Sequence, residues 1–189
     1  MLFTPGPTAV PPEVREAMAE PQPNSAVQPE FTERYDRLCE NLQQIYDTDH
    51  DVIVPGGEGI LGLEAAIASL VAPGDRVLCI ANGLYGEGFA DFVDSYDGEA
   101  ELVSADYDAG YDLDAVEAAL ADAEEADDPF KLATLVHCET PTGTLNDLSP
   151  VLDLLDEYDV LSVVDAVSSL GGTPVPTDRI DVCLGASQK

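Results

Sequence analysis

Apolar positions along the chain follow two alternating rhythms: short continuous runs, and longer segments with a spacing of three or four residues. The short runs predict strands at 52–55, 76–80, 100–104, 132–138, 160–165 and 180–184, and the spaced segments predict helices at 60–71, 85–96, 113–125 and 148–158. Strands alternating with amphipathic helices imply an α/β fold, with a mostly parallel central sheet, helices on both faces and right-handed crossovers. Before this pattern begins, Pro12 opens a helical period that runs to residue 20, and a proline in the first turn forfeits no hydrogen bond. Pro21 and Pro23 end that period; Phe31, Tyr35, Leu38, Leu42 and Ile45 then mark an amphipathic helix over 31–48. Four prolines in the first twelve residues, with the turn-like Thr4-Pro5-Gly6-Pro7, give the start of the chain an extended character. The expected division is an arm with a short helix at 1–22 and a main domain at 23–189.

Charge changes this picture most. The chain has 38 acidic residues against 7 basic ones, a net charge of −31, and its lysines are Lys131 and Lys189. Such a surface repels phosphate, which excludes nucleic acid and anionic membrane as partners. The acidic stretch from Asp122 to Asp128 lies between periodic apolar segments and reads as a solvated face. A one-sided charge with an apolar core suits concentrated salt, where the Debye length shrinks to ~3 Å at 1 M, so a halophile cytoplasm is expected. Cys39, Cys79, Cys138 and Cys183 are widely spaced, each beside apolar residues, and are expected to be buried free thiols. With His50 and His137 as the two histidines, no usual zinc site is expected. No apolar stretch approaches the ~20 residues that span a bilayer, so the reading is a soluble, intracellular protein.

In open parallel sheets ligands bind at the carboxyl ends of the strands, so the loops there are the candidates for chemistry. Gly56-Gly57-Glu58-Gly59-Ile60 opens a helix after a strand, and could be an anion site or a structural turn. Ala81-Asn82-Gly83-Leu84-Tyr85-Gly86 offers a ring flanked by glycines, either for stacking on a flat heterocycle or as a half-buried core tyrosine. His137-Cys138-Glu139-Thr140-Pro141-Thr142-Gly143 clusters polar groups, as a site or as a capped turn. Asp165 ends a buried strand with a carboxylate, which is costly without a positive partner such as a protonated pyridine nitrogen. Gly185-Ala186-Ser187-Gln188-Lys189 supplies a lysine in a chain that otherwise avoids lysine.

These segments resemble the class V aminotransferases, fold type I pyridoxal-phosphate enzymes, in the alanine-glyoxylate and serine-pyruvate branch. The resemblance rests on Leu2-Phe3-Thr4-Pro5-Gly6-Pro7-Thr8, Gly57-Glu58-Gly59 with Leu63-Glu64-Ala65-Ala66, Asn82-Gly83-Leu84-Tyr85-Gly86 and Glu139-Thr140-Pro141-Thr142-Gly143. It is completed by Val164-Asp165-Ala166-Val167-Ser168-Ser169-Leu170-Gly171-Gly172 and Ser187-Gln188-Lys189, in order along the whole chain. It implies most of the cofactor-binding large domain of such an enzyme, incomplete beyond the lysine, with Lys189 as the Schiff-base lysine and Asp165 as the partner of the pyridine nitrogen. By the same resemblance Tyr85 stacks on the cofactor ring, Val167 packs on its other face, and Thr140 contacts its ring oxygen. The backbone of Gly59 and Ile60, with the side chain of Gln188, holds the 5′ end. The implied activity moves an amino group between a small amino acid (alanine or serine) and a 2-oxo acid (glyoxylate or pyruvate), in a homodimer with pyridoxal 5′-phosphate.

Two positions depart from the family. Ala26 and Val27 stand where a His-Arg pair is common, and Glu58 stands where a small hydroxyl residue is common. Glu58, with Leu61-Gly62-Leu63-Glu64-Ala65-Ala66 and Pro141 after Thr140, is locally similar to pyridoxamine-pyruvate transaminase, which takes unphosphorylated pyridoxal or pyridoxamine as substrate. Family members run to about twice this length, and a smaller C-terminal domain supplies the arginine that clamps the substrate carboxylate. The 189 residues alone are therefore expected to be inactive. Rival readings are a cysteine desulfurase or other lyase of the same fold, and a non-catalytic remnant that binds a partner chain.

Overall fold

A computed structural model describes residues 4–189, so Leu2 and Phe3 of the expected arm lie outside the described residues. The chain forms two compact units, one comprising the residues up to Gly56 together with Ser187–Lys189, the other Gly57–Ala186.

The larger unit carries the sheet. Its helices are α3 (Gly59–Leu70), α4 (Leu84–Ser95), α5 (Leu113–Glu125) and α6 (Ser149–Glu157), and its strands are β1 (Arg76–Ala81), β2 (Glu99–Ser104), β3 (Leu132–Val136), β4 (Leu161–Asp165) and β5 (Val182–Leu184). All strand pairs are parallel, in the order β2-β1-β3-β4-β5. The expected α/β class therefore stands. Every residue of β3 is buried, as a strand covered on both faces requires, whereas edge strand β2 has only exposed and half-buried positions. Two apolar clusters cover the sheet. One joins Val116 and Leu120 of α5 and Leu152 and Leu155 of α6 to Leu78, Leu135 and Val164. The other joins Leu63 and Ile67 of α3 and Phe89 and Val93 of α4 to Val77, Cys79, Leu132 and Val163. Strand neighbours thus send alternate side chains to opposite clusters, which is the two-residue period of the pleat.

The smaller unit holds α1 (Pro12–Ala19) and α2 (Pro29–Tyr46), neither of which has a buried residue. The strand expected at 52–55 is not formed. Val54 donates its N–H to Tyr35 Oη at 3.1 Å, the Val52 carbonyl accepts from Cys39 Sγ at 3.5 Å, and the His50 carbonyl accepts from Gln43 Nε2 at 2.9 Å. This segment runs along α2 on side-chain bonds, and Ile53 is 81% exposed. The thiols also correct one expectation. None of the four is in a disulfide, but only Cys79 is buried, and Cys39, Cys138 and Cys183 are half-buried. Among the described residues no helix is long and apolar enough to cross a membrane.

Acid dominates even the helix ends. Asp47, Asp97, Asp127 and Asp159 adopt left-handed φ of 50° to 59°, each just past the C-terminus of a helix, where glycine is the usual residue. No helix from α1 to α6 has a basic residue in its last turn. A carboxylate at the negative end of the helix dipole is unfavourable until salt screens it. Circular dichroism should therefore show the fold being lost as salt is lowered from the molar range. Asp97→Asn, Asp127→Asn and Asp159→Asn should each recover about 0.3–1 kcal/mol at low salt and little at molar salt. Equal stability at both extremes would contradict this.

Candidate functional site at the carboxyl ends of the strands

Asp165 is the last residue of β4, 6% exposed, and its register partner on β3 is Val136. Its Oδ1 accepts the Val167 N–H at 2.7 Å, which folds the following turn back over the strand end. The backbone on either side is pinned as well, His137 N–H donating to the Asp165 carbonyl at 2.9 Å and Ala166 N–H to the Leu184 carbonyl at 2.8 Å. That turn is locked to the loop after β3. Thr140 Oγ1 and Ser168 Oγ are 2.5 Å apart, and His137 Nδ1 lies 2.9 Å from Ser169 Oγ. Because Ser169 Oγ donates to the Ala166 carbonyl at 3.2 Å, it accepts from His137, which places the imidazole proton on Nδ1. Burial lowers the His137 pKa from its ordinary 6.5, and nearby Asp147 offsets part of that.

Tyr85 is half-buried in the first turn of α4. Its N–H and that of Gly86 donate to the Glu139 carboxylate at 3.3 and 2.7 Å. Glu139 is fully buried. The sequence pattern assigns Glu139 no role within its loop; the signal that exposes it is the glycine pair, Gly83 and Gly86, that brackets Tyr85. A Cβ at Gly83 would lie 2.5 Å from the Glu139 carboxyl carbon. A second missed feature is an amide pair behind the loops. Asn82 Nδ2 donates to Asn146 Oδ1 at 2.7 Å and to the Ala109 carbonyl at 2.6 Å, while Asn146 Nδ2 donates to Asn82 Oδ1 at 3.1 Å and the Val136 carbonyl at 2.8 Å. Tyr111 Oη bonds both the carbonyl and the N–H of Val136, at 2.6 and 2.8 Å, and burial raises its pKa.

Gly59, the first residue of α3, is buried against the same turn. A Cβ there would lie 3.2 Å from both Val167 Cγ2 and Ala186 Cβ. Glu58, its N-cap, is exposed and makes no side-chain capping bond, and Ile60 is 50% exposed. The other helices of this unit differ. Carboxylates of Glu139, Asp112 and Asp147 accept N–H bonds at the starts of α4, α5 and α6 respectively. The larger unit thus joins Gly59 to Val167 by packing, Val167 to Asp165 by a hydrogen bond, and Thr140 to the same turn through Ser168. Gln188 and Lys189 belong to the smaller unit. There the Gln188 carbonyl accepts the Thr8 N–H at 2.9 Å, and the Lys189 side chain lies along Gly6, where a Cβ would be 2.8 Å from Lys189 Cγ. A cavity of about 490 Å³ elsewhere in the larger unit is lined by His137, Asn146, Ser149, Thr173 and Pro176 among others, and by none of the residues that the resemblance assigns.

The thiols beside the sheet are poor nucleophiles. Burial pushes Cys79 up to about 11 and Cys183 up to about 12, the latter helped by the charge of Asp165.

The family model for class V aminotransferases matches residues 1–189. The chain belongs to the class V aminotransferases. This class V chain is 38% identical to an uncharacterized aminotransferase of Methanocaldococcus jannaschii over its whole length, covering 48% of that protein. It is 33% identical to the pyridoxamine-pyruvate transaminase of Mesorhizobium japonicum, over 84% of this chain and 42% of the relative. Among solved structures, an alanine-glyoxylate aminotransferase from Nostoc superposes with a TM-score of 0.89 at 32% identity, covering 98% of this chain and 48% of that one. The chain thus spans about half the length of the relatives it matches. The fold is that of part of the large domain of a fold type I transferase, and the cofactor of the class is pyridoxal phosphate.

The tautomer and burial of His137 carry a pH consequence. A histidine whose folded pKa lies below its unfolded value favours the folded state fully above ~6.5 and loses that contribution as pH falls through the folded value. In molar salt the thermal midpoint of the unsubstituted chain should therefore fall between pH 7.5 and 5.5 more than that of His137→Gln. Parallel pH profiles would show that His137 is not the group responsible.

Proposed function

We propose that this chain is the cofactor-binding part of an aminotransferase acting between a small amino acid and a 2-oxo acid such as glyoxylate or pyruvate. The observation that carries the reading is Asp165, a carboxylate buried at a strand end and oriented by the Val167 N–H. A buried carboxylate fits a protonated ring nitrogen, because it holds the proton there by charge and removes the cost of its own desolvation. Bound pyridoxal phosphate would supply an electron sink for the bond-breaking at the amino-acid carbon. Tyr85 and Val167 would hold the ring from its two faces, and Thr140, fixed by Ser168, its ring oxygen. The uncapped start of α3, at Gly59 and Ile60, would donate to the 5′ group, a role that the family resemblance also gives the Gln188 side chain. Lys189 would hold the group at its aldehyde carbon and would take and return the proton at the substrate carbon.

Several further readings rest on charge and likeness. The net charge of −31 supports a halophile cytoplasm. A homodimer follows from the family, and alanine-glyoxylate aminotransferases are among the relatives. A second reading of the cofactor is favoured by Glu58, which stands uncapped at the α3 N-terminus, and by the 33% identity to a pyridoxamine-pyruvate transaminase. If Glu58 turned into the 5′ pocket, one unit charge ~4 Å from another would cost ~4 kcal/mol at an effective dielectric near 20, and a phosphate carries nearly two. A helix N-terminus returns at most ~2 kcal/mol, so such a pocket would favour a neutral hydroxymethyl group.

Borohydride reduction of the protein with cofactor, followed by peptide mapping, should label Lys189. Lys131, just before β3, is held by Asp75 at 2.5 Å and should stay unlabelled; label on Lys131 alone, or none, would sink the assignment.

Titration with pyridoxal and with pyridoxal phosphate separates the two cofactor readings. The exposed Glu58 favours tighter binding of the phosphate form, with little change on Glu58→Ser. Preference for pyridoxal, reversed by that substitution, would establish the unphosphorylated reading instead.

A further inference from the structure

The strand-end loops contain a buried charge to which the proposed chemistry gives no part. Glu139 has no exposed surface, and both of its carboxylate oxygens accept backbone N–H groups from the first turn of α4. A carboxylate is costly to bury, and here the donors are helix N-terminal N–H groups that have no partner within the helix. Charge-assisted bonds of this kind are short, and Gly86 N–H meets Oε1 at 2.7 Å. Space for the carboxylate comes from glycine. A Cβ at Gly83 would lie 2.5 Å from the carboxyl carbon, and one at Gly86 would lie 3.4 Å from Oε1 and 2.9 Å from Ala81 Cβ. Gly83 has an extended φ of 174°, so its backbone conformation does not require glycine, and the close approach of Glu139 does.

Glu139 is itself held firmly. Its N–H donates to the Thr144 carbonyl at 3.0 Å, and its carbonyl accepts the Gly143 N–H at 2.7 Å, closing the loop that carries Thr140. One residue therefore ties two loops that lie 53 and 54 positions apart in sequence.

The geometry points to Glu139 as a positioning residue for Tyr85: its carboxylate fixes the start of α4, and with it the direction in which the Tyr85 ring leaves the backbone. This rests on the reading of Tyr85 as the ring that stacks on the cofactor. The carboxylate also occupies the anion-binding end of α4, so the 5′ group is directed to α3 instead.

The test uses Glu139→Gln, which keeps the shape but sets an amide NH₂ against one of the two N–H donors, and Gly83→Ala, which keeps the charge and displaces it. Each is made in the unsubstituted protein and in a Tyr85→Leu background, with folding checked by circular dichroism in molar salt. Hydrogen exchange needs no cofactor. Both variants should speed exchange at residues 84–88 by about tenfold or more while 132–136 in β3 stays protected. Pyridoxal phosphate affinity, read from cofactor absorbance, should fall about tenfold in the Tyr85 background and not fall further with Tyr85→Leu, since coupled residues are non-additive. A merely structural role would weaken binding equally in both backgrounds, and that result overturns the proposal, as does unchanged exchange at 84–88. Should Glu139→Gln fail to fold, Gly83→Ala decides alone. Absence of binding in the unsubstituted protein sinks the cofactor reading instead, and the exchange result then decides whether Glu139 holds Tyr85 in place.

Discussion

The constraint on which the strand-end loops depend is the burial of carboxylate in a chain that already carries a net charge of −31. Glu139 and Asp165 are buried at or beyond the ends of β3 and β4, where water can do little to solvate them. Desolvation of an unpaired carboxylate costs far more than a fold of this size can spare, so each must find donors. Asp165 accepts the Val167 N–H, which requires the chain to turn back directly after the strand. Glu139 finds two at the start of α4, which requires that helix to begin at Leu84 and to approach closely through Gly83 and Gly86. The shapes of these loops follow from hydrogen-bond supply.

Most elements of the larger unit were legible because their signals are local. α5 spans the expected residues, and the other helices there differ from expectation by a residue at either end. Errors arise where a distant side chain replaces the ladder. The strand expected at 132–138 ends at Val136, whose peptide groups are taken by the Tyr111 hydroxyl and Asn146. The strand expected at 180–184 begins at Val182, because Asp181 is engaged with Ser162 through its carboxylate and its own N–H. At 52–55 the β-branched run Val52-Ile53-Val54 has the composition of a strand, but its peptide groups bond to Tyr35 and Cys39 instead of a neighbouring strand. Composition proposes a strand, and only a partner makes one.

The same distinction separates the parts of the candidate site. Asp165 was legible as a carboxylate ending an apolar run, and Tyr85 as a ring between glycines. Glu139, Asn82, Asn146 and His137 were not, since each acts through a partner 32 to 64 positions away. A loop of polar residues looks alike in sequence whether its carboxylate faces water or seats a helix. Asp165, Tyr85 and Glu139 belong to the larger unit, and Lys189 lies in the smaller unit beside Gly6, where composition could mark it as unusual but could not place it.

Helix N-termini in the larger unit are also unequal in a way that bears on where an anion can sit. α4, α5 and α6 each begin with N–H groups already bonded to a carboxylate of this chain. α3 does not, because Glu58 at its N-cap makes no capping bond. A serine or aspartate at that position would gain about 1 kcal/mol by capping the helix itself, and would thereby compete for the same donors. Glutamate, with one methylene more than aspartate, is a poor cap. Leaving α3 uncapped costs the isolated fold a little, and keeps the first N–H groups available to an acceptor oxygen brought in from outside, phosphate or hydroxyl. In a protein so rich in carboxylates, the start of α3, packed beside Val167, is a helix end that its own N-cap carboxylate leaves uncapped among the described residues.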